Sequence, residues 1–194
     1  MKKTIIVDVD NTLVNSSETI LDIYKDEMSV SDDIKYTKNH LWDFEGLIPR
    51  SYLERALELF GEDKFYDKLK FIPYADKVMN RLDSKYNVKI CSVHDEKTAD
   101  KKINWLKNNL PFLNDENIII LPYSKGFNKS KVTGDIIIDD KMDCLFGNRE
   151  MKLLFGEYGY NQYEHLSKEN KLLYNTSNNI IRVENWKVIE SLLI

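Results

Sequence analysis

Cysteine is nearly absent from this chain of 194 residues: Cys91 and Cys144 are the only two. Cys91 lies inside an apolar run, so a disulfide framework of the kind that staples small secreted domains is not expected, and a reducing, cytoplasmic setting is. An excess of basic charge is missing as well. With 28 Lys and Arg against 32 Asp and Glu, the net charge is −4, which argues against a surface built for stable nucleic-acid binding. Long apolar runs are also lacking. The stretch behind Lys2 and Lys3 is broken at once by Asp8, and no run is long enough to span a bilayer, so neither a signal peptide nor a membrane anchor is expected. Internal repeats and low-complexity segments are absent. His40 and His165 lack partnered ligands and support no metal site. What remains is a chain of 42% hydrophobic content, enough for one compact domain with a sizeable core and room for a small inserted subdomain.

The most informative segment stands at the front. Ile5, Ile6 and Val7 lead into Asp8, Val9 and Asp10, followed by Asn11 and Thr12. Two carboxylates two residues apart on an extended backbone project to the same side. At the end of a buried strand they face solvent together, where their mutual repulsion calls for a positive charge between them. A hard cation with oxygen ligands, Mg²⁺, meets that need. A helix cap needs only one carboxylate, so a pair in this place points to chemistry.

Along the chain, residues 4–9 have the pattern of a buried strand. No strand pattern appears between Ser16 and Leu69; Thr19–Met28 and Tyr52–Phe60 are helical, the latter with Leu53, Ala56, Leu57 and Phe60 on one face, and polar Ser29–His40 separates them. From Pro73 onward strands and helices alternate. A helix is predicted over Ala75–Tyr86, a strand over Asn87–Ser92, and a lysine-rich helix with Ile103, Trp105 and Leu106 ending near Pro111. Further strands are predicted at Asn117–Leu121, Asp135–Ile138 and Lys152–Phe155, and a closing helix at Val183–Leu193. Trp105 and Trp186 are assigned to the core. Nearly continuous apolar strands alternating with helices define an α/β fold with a doubly wound parallel sheet, Rossmann-like in type, covered on both faces.

Such sheets bind ligands beyond the carboxyl ends of their strands. Asp8 and Asp10 end the first strand, Ser92 the second, and Asp139 and Asp140 the fourth, with Lys129 in the loop ten residues ahead of Asp139. Four segments thus bring four carboxylates, a hydroxyl and an ammonium to one edge. That set suits transfer of a phosphoryl group from a monoester dianion. Asp8 can attack phosphorus if Mg²⁺ and Lys129 offset the repulsion. Asp10 can protonate the leaving oxygen and then activate water. Ser92 donates to a phosphate oxygen, and Asp139 and Asp140 serve the metal directly or through water. Structural alternatives stand beside these roles: Ser92 as a helix cap, Lys131 in place of Lys129, and His94 as a surface histidine rather than a substrate contact.

In order, Asp8-Val9-Asp10-Asn11-Thr12, Ser92, Lys129 and Ile138-Asp139-Asp140 resemble the four motifs of the haloacid dehalogenase (HAD) superfamily of aspartate-nucleophile phosphatases. Within it the chain is similar to the 5'(3')-deoxyribonucleotidase family through its Lys129-to-Asp139 spacing, Lys102 and Trp105, the segment Leu153–Gln162, and Asn185-Trp186. The resemblance implies Asp8 as nucleophile and Asp10 as general acid and base. Mg²⁺ would be held by the Asp8 carboxylate, the Asp10 backbone carbonyl and the Asp140 carboxylate, with Asp139 acting through water, and Ser92 and Lys129 would hold the phosphate. Residues 1–14 and 73–194 would form the HAD-like core and residues 15–72 a small helical cap inserted after the first strand, with Leu41-Trp42 at the family's aromatic pair and Phe44, Phe65 and Tyr66 as further pocket candidates. Trp42 either stacks on a base or packs the cap.

The chain departs from the family where Thr-Ser-Pro is usual and Ser92-Val93-His94 stands, and where a glycine is expected after Pro73 and Tyr74 stands. The first change keeps a hydroxyl at Ser92 but places Val93 and His94 beside the substrate, leaving base preference open. The implied substrate is a small nucleotide-like phosphate monoester. Another small phosphate, such as a sugar phosphate or a nucleic-acid 3'-phosphate, is the alternative, and a non-catalytic binding module that kept the fold is a third. Oligomeric state is left open.

Overall fold

The computed structural model describes residues 1–30, 48–123 and 129–194. Leu41, Trp42 and Phe44 lie outside the described residues, as does most of the polar Ser29–His40 stretch.

Six parallel strands form one sheet in the order β3-β2-β1-β4-β5-β6. They are β1 (Thr4–Val7), β2 (Asn87–His94), β3 (Ile118–Pro122), β4 (Ile136–Asp139), β5 (Met151–Phe155) and β6 (Ile180–Val183). Central β1 pairs Val7 with Ile90 of β2 on one side and with Ile138 of β4 on the other. The chain therefore builds outward from β1 in one direction through β3, then returns to the other side of β1 for β4. This reversal opens a crevice at the carboxyl ends of β1 and β4, where ligands bind in open α/β sheets.

Burial on both faces explains why these strands are rich in β-branched residues. Ile5 and Val7 point into one core with Ile138, Phe155, Val78 and Trp186, while Ile6 points into the other with Cys91, Ile137, Leu145 and Leu154. The first core is covered by α4 (Ala75–Lys85), α5 (Ala99–Asn109) and α7 (Trp186–Leu193), which contribute Leu82, Leu106 and Ile189. The second is covered by a 3-10 turn at Met142–Leu145 and by α6 (Lys168–Thr176), whose Leu173 and Tyr174 pack against it. Both Trp105 and Trp186 pack against the first core, as expected; Trp186 is fully buried and its indole N–H donates to the Thr12 carbonyl at 2.8 Å.

Between β1 and α4 the chain forms α1 (Ser16–Met28), α2 (Leu53–Leu59) and α3 (Asp63–Lys68). The two connections to this segment run side by side: Ile72 N–H donates to Leu13 and Asn15 N–H to Lys70, each at 3.0 Å, around an antiparallel bridge between Val14 and Phe71.

Several element boundaries differ from the sequence expectation. Strand β1 stops at Val7 because the Val9 carbonyl gathers the N–H groups of Leu13 and Val14 at 2.9 and 3.0 Å, turning the chain. Strand β2 continues past Ser92 to His94, paired with β3. The closing helix starts at Trp186, not Val183: Asn185 caps it, accepting from Lys187 and Val188, and Ile180–Val183 instead forms the edge strand β6 against β5. Helices α3 and α6 were not predicted. Each is short, and α6 is announced chiefly by the Ser167 side chain accepting from Asn170 N–H.

Tyr74, at the position of the expected glycine, has φ +72°, so its backbone occupies the left-handed region that glycine enters without steric cost. Its exposed ring is covered by the Lys187 ammonium 4.2 Å from the ring centre. Asn11, at φ +56°, is the other strained residue near the site; its side chain accepts from Ser17 N–H at 3.0 Å and donates to the Ser17 hydroxyl at 2.8 Å.

Candidate active site

Asp8 follows β1 directly, and its backbone N–H continues the ladder to Ile138 O at 3.0 Å. This places its carboxylate beside those at the end of β4. Asp8, Asp139 and Asp140 are all buried and offer oxygens that lie within 4.8 Å of one another. Lys129, itself 1% exposed, donates to Asp8 Oδ1 and, at 2.7 Å, to Asp139 Oδ2. Asp139 also accepts from Lys141 N–H at 2.9 Å, and Asp140 from the Thr12 hydroxyl at 3.3 Å and the Tyr160 hydroxyl.

Asp10 belongs to a different pair. Beyond the turn at Val9, its Oδ2 accepts from Lys102 at 2.5 Å and lies 3.4 Å from the Ser92 hydroxyl, while Oδ1 accepts from Ser16 at 2.6 Å. Lys102 also donates to Ser92 Oγ at 3.1 Å. Each of the two carboxylates has an ammonium group beside it, Lys129 at Asp8 and Lys102 at Asp10. The Asp10 side chain stands outside the three-carboxylate group, and Asp139 stands within it.

Burial and charge push the two acids in opposite directions. Loss of hydration raises the Asp8 pKa to about 7: Lys129 opposes the rise, and the neighbouring Asp139 and Asp10 charges add to it. Asp140 is raised too, first by burial and then by Asp8 and Asp139. Burial would also raise Asp10, but the Lys102 charge and hydrogen bond, helped by Ser16, hold it below the ordinary range. Lys129, buried between two carboxylates, titrates above its usual range because their charges outweigh its desolvation.

Three carboxylates with one ammonium among them carry an uncompensated negative charge that burial makes costly. An all-oxygen donor set with surplus negative charge fits a hard divalent cation such as Mg²⁺, and Asp8, Asp139 and Asp140 are the residues that would hold it.

Asp8, Asp10, Lys129 and Val93 all line one cavity of about 80 Å³ at the sheet edge, with Leu57 and Phe60 from the α2 region closing its far side. The predicted set Asp8, Asp10, Ser92, Lys129, Asp139 and Asp140 is therefore brought together. His94 is not at the surface: it is fully buried, its ring edge-on to Phe60. Phe65 and Tyr66 are buried among α3 and Phe60 rather than lining this cavity. Among the described residues Lys131 makes none of the site's ion pairs, which belong to Lys129 and Lys102.

Lys102 was not among the expected site residues. It is one of four lysines and arginines on or beside α5 and carries no sign of burial in the sequence, and only the packing of α5 reveals it. Arg149 was missed as well. Buried after β4, it donates to the carbonyls of Lys129, Val132 and Gly134 at 3.0, 2.6 and 2.9 Å, fixing the turn that presents Lys129.

A parallel sheet in this strand order, with a carboxylate cluster at the reversal of β1 and β4 and a lysine turned onto it, defines a haloacid dehalogenase-like hydrolase. The fold matches that of a haloacid dehalogenase-like hydrolase from Streptococcus pneumoniae with a TM-score of 0.54 at 18% identity, over 98% of each chain. A HAD-superfamily hydrolase of subfamily IA from Geobacter sulfurreducens gives 0.54 at 14% identity, over the whole of both chains. Within that class, residues 2–194 match the profile of the family described as 5' nucleotidase, deoxy (pyrimidine), cytosolic type C protein, and the chain belongs to this family. It is a phosphate monoester hydrolase. A 5'(3')-deoxyribonucleotidase of Clostridium acetobutylicum is 31% identical over 158 residues, 79% of this chain and 82% of that protein. Among the described residues no helix is long and apolar enough to cross a membrane.

Proposed function

We propose that this protein removes phosphate from nucleoside monophosphates through an aspartyl-phosphate on Asp8, with Mg²⁺ as its metal. The observation that carries this reading is the division of the two carboxylates: Asp8 sits in the three-carboxylate group on Lys129, Asp10 on Lys102 and Ser92, and both line one cavity. The family and the Clostridium acetobutylicum relative, a 5'(3')-deoxyribonucleotidase by name, supply the substrate class.

When bound at Asp8, Asp139 and Asp140, and on the family pattern at the Asp10 carbonyl, the cation supplies Lewis-acid neutralisation of phosphoryl charge and keeps Asp8 ionised. The chain's own groups do the rest. Lys129 holds Asp8 Oδ1, leaving the second oxygen to attack phosphorus as the bond to the alcohol oxygen breaks. Asp10 gives that oxygen its proton, then takes one from the water that attacks the aspartyl-phosphate, returning Asp8 and inorganic phosphate. At rest Asp10 is ionised on Lys102. The incoming dianion competes for the Lys102 ammonium and adds negative charge, and both effects raise Asp10 toward the protonated form it needs. The Ser92 hydroxyl donates to a phosphate oxygen without adding charge. Residues 15–72 serve as a cap over the cavity, hinged at the paired Leu13–Asn15 and Lys70–Ile72 connections, and exclude water from the intermediate.

A panel of deoxy- and ribonucleoside 5'- and 3'-monophosphates, sugar phosphates and p-nitrophenyl phosphate, assayed with Mg²⁺ against wild type and Asp8→Asn, tests this. Turnover led by nucleotides and lost in the variant is expected. Preference for sugar phosphates contradicts the substrate class, and retained activity in Asp8→Asn contradicts the mechanism.

A further inference from the structure

The short segment after β5 reaches both loops that carry the carboxylates. Tyr158 donates its hydroxyl to the Asn11 carbonyl at 2.6 Å, in the left-handed turn just past Asp10. Tyr160 donates its hydroxyl to Asp140 Oδ2. The two rings lie 5.3 Å apart, centre to centre, with their planes 1° from parallel, so each steadies the other. Gly156 makes room for this pair: its φ is +72°, and a Cβ there would stand 2.5 Å from the Tyr158 ring.

Asn161 anchors the same segment. Fully buried, it donates Nδ2 to the carbonyls of Asp140 and Phe155 at 2.9 and 3.0 Å. Its Oδ1 accepts from Tyr158 N–H at 3.1 Å and from Arg182 of β6 at 2.9 Å. Arg182 also donates to the carbonyls of Gly156 and Asn161, each at 2.7 Å. The backbone of Asp140 is thus held by Asn161 and its side chain by Tyr160, consecutive residues of one braced turn. A connected network of this kind stiffens the groups it holds.

The Tyr160 bond bears on how many oxygens the cluster can turn to an ion. Lys129 takes Asp8 Oδ1 and Asp139 Oδ2, Lys141 N–H takes Asp139 Oδ1, and Tyr160 takes Asp140 Oδ2. Each carboxylate therefore has at least one oxygen already engaged. Asp140 Oδ1 has the Thr12 hydroxyl 3.3 Å away, a long contact that leaves this oxygen open. Ca²⁺ gathers a large, loose oxygen shell and readily takes both oxygens of one carboxylate, whereas Mg²⁺ demands a small octahedral shell.

Resting on the reading of Asp8, Asp139 and Asp140 as a Mg²⁺ site, we infer that Tyr160 is a positioning residue for Asp140: by occupying Oδ2 it confines that carboxylate to coordination through one oxygen and so favours Mg²⁺ over Ca²⁺. Without the hydroxyl, Asp140 is free to turn both oxygens to one ion, which serves Ca²⁺ and loosens the compact shell that Mg²⁺ requires. The Tyr158 hydroxyl holds the neighbouring loop and not Asp140, so it carries no such preference.

The test titrates the metal-free protein with MgCl₂ and with CaCl₂ in a calorimeter, in wild type, Tyr160→Phe and Tyr158→Phe. Both variants keep the stacked rings and lose one hydroxyl each. Wild type should bind Mg²⁺ more tightly than Ca²⁺. Tyr160→Phe should weaken Mg²⁺ binding about tenfold and leave Ca²⁺ as tight or tighter, narrowing the preference by at least that factor. Tyr158→Phe should keep the wild-type preference. A wild type that binds Ca²⁺ as tightly as Mg²⁺, or more tightly, overturns the inference without any variant. So does an unchanged preference in Tyr160→Phe, or a narrowing as large in Tyr158→Phe, which would mark general loosening rather than control of Asp140. A wild type that binds neither cation overturns the reading of the cluster as a metal site, so the two failures are distinct.

Discussion

Asp8 and Asp10 are two residues apart and chemically alike, yet the fold sets them on different lysines and moves their acidities in opposite directions. Lys102 is responsible for half of this contrast. Replacing it by Met leaves burial of Asp10 opposed by Ser16 and the smaller effect of His94, so the Asp10 pKa rises. The limb of the kcat pH profile governed by Asp10 should move to higher pH, with kcat lowered about a hundredfold or more at pH 7. A pH–rate series on Lys102→Met checks this, and an unmoved limb contradicts the pairing. The sequence made the carboxylates legible because a DxD after a buried strand is rare without a purpose. It made Lys102 illegible because a lysine in a lysine-rich helix looks solvated until the helix is docked and the residue proves 2% exposed.

At the scale of elements, the site is a product of where strands stop. Asp8 and Asp139 stand at the ends of neighbouring strands β1 and β4, and that register was readable from two apolar runs each closed by aspartate. Edge strand β6 was not readable. Its Ile180–Val183 segment is too short and too near an amphipathic helix to be told from that helix's first turn, and Asn185 settles the boundary only once seen as a cap. The Lys129 turn likewise depends on a side chain distant in sequence. Arg149→Met removes three hydrogen bonds from a buried guanidinium and strands the three carbonyls it serves. The expected cost is about 3 kcal/mol, seen as a fall in Tm of about 10 °C, together with a raised KM because Lys129 loses its fixed position. Calorimetry and steady-state kinetics on that variant are the check; an unchanged KM contradicts the proposed support of Lys129.

At the scale of the whole molecule, the buried carboxylate cluster ties stability to pH. The Asp8 pKa, near 4 when unfolded, is about 7 in the metal-free fold, so between those values the folded state holds more protons than the unfolded one and the Asp8 contribution to stability falls as pH rises. His94, lowered to about 4, works the other way below pH 6.5. The Asp8 effect is therefore isolated by difference. In the absence of divalent cations, Asp8→Asn should be more stable than wild type, by an amount that grows between pH 5 and pH 8 to about 1 kcal/mol or more. Mg²⁺ should raise the wild-type Tm more at pH 8 than at pH 5, since fewer protons then compete for the carboxylates. Thermal unfolding at the two pH values, with and without Mg²⁺, measures both. A cation effect equal at both pH values, or an advantage of the variant that shrinks with pH, contradicts the assignment of the cluster.

The central claim, that Asp8 forms a covalent acyl phosphate intermediate, is tested most directly by quenching the Mg²⁺-loaded enzyme with borohydride during steady turnover and sequencing its peptides by mass spectrometry. An aspartyl-phosphate is reduced to homoserine, whereas a free carboxylate is untouched. The account predicts homoserine at position 8, dependent on substrate, with Asp10, Asp139 and Asp140 unchanged. Reduction at another aspartate, or at none while substrate is being consumed, would contradict it.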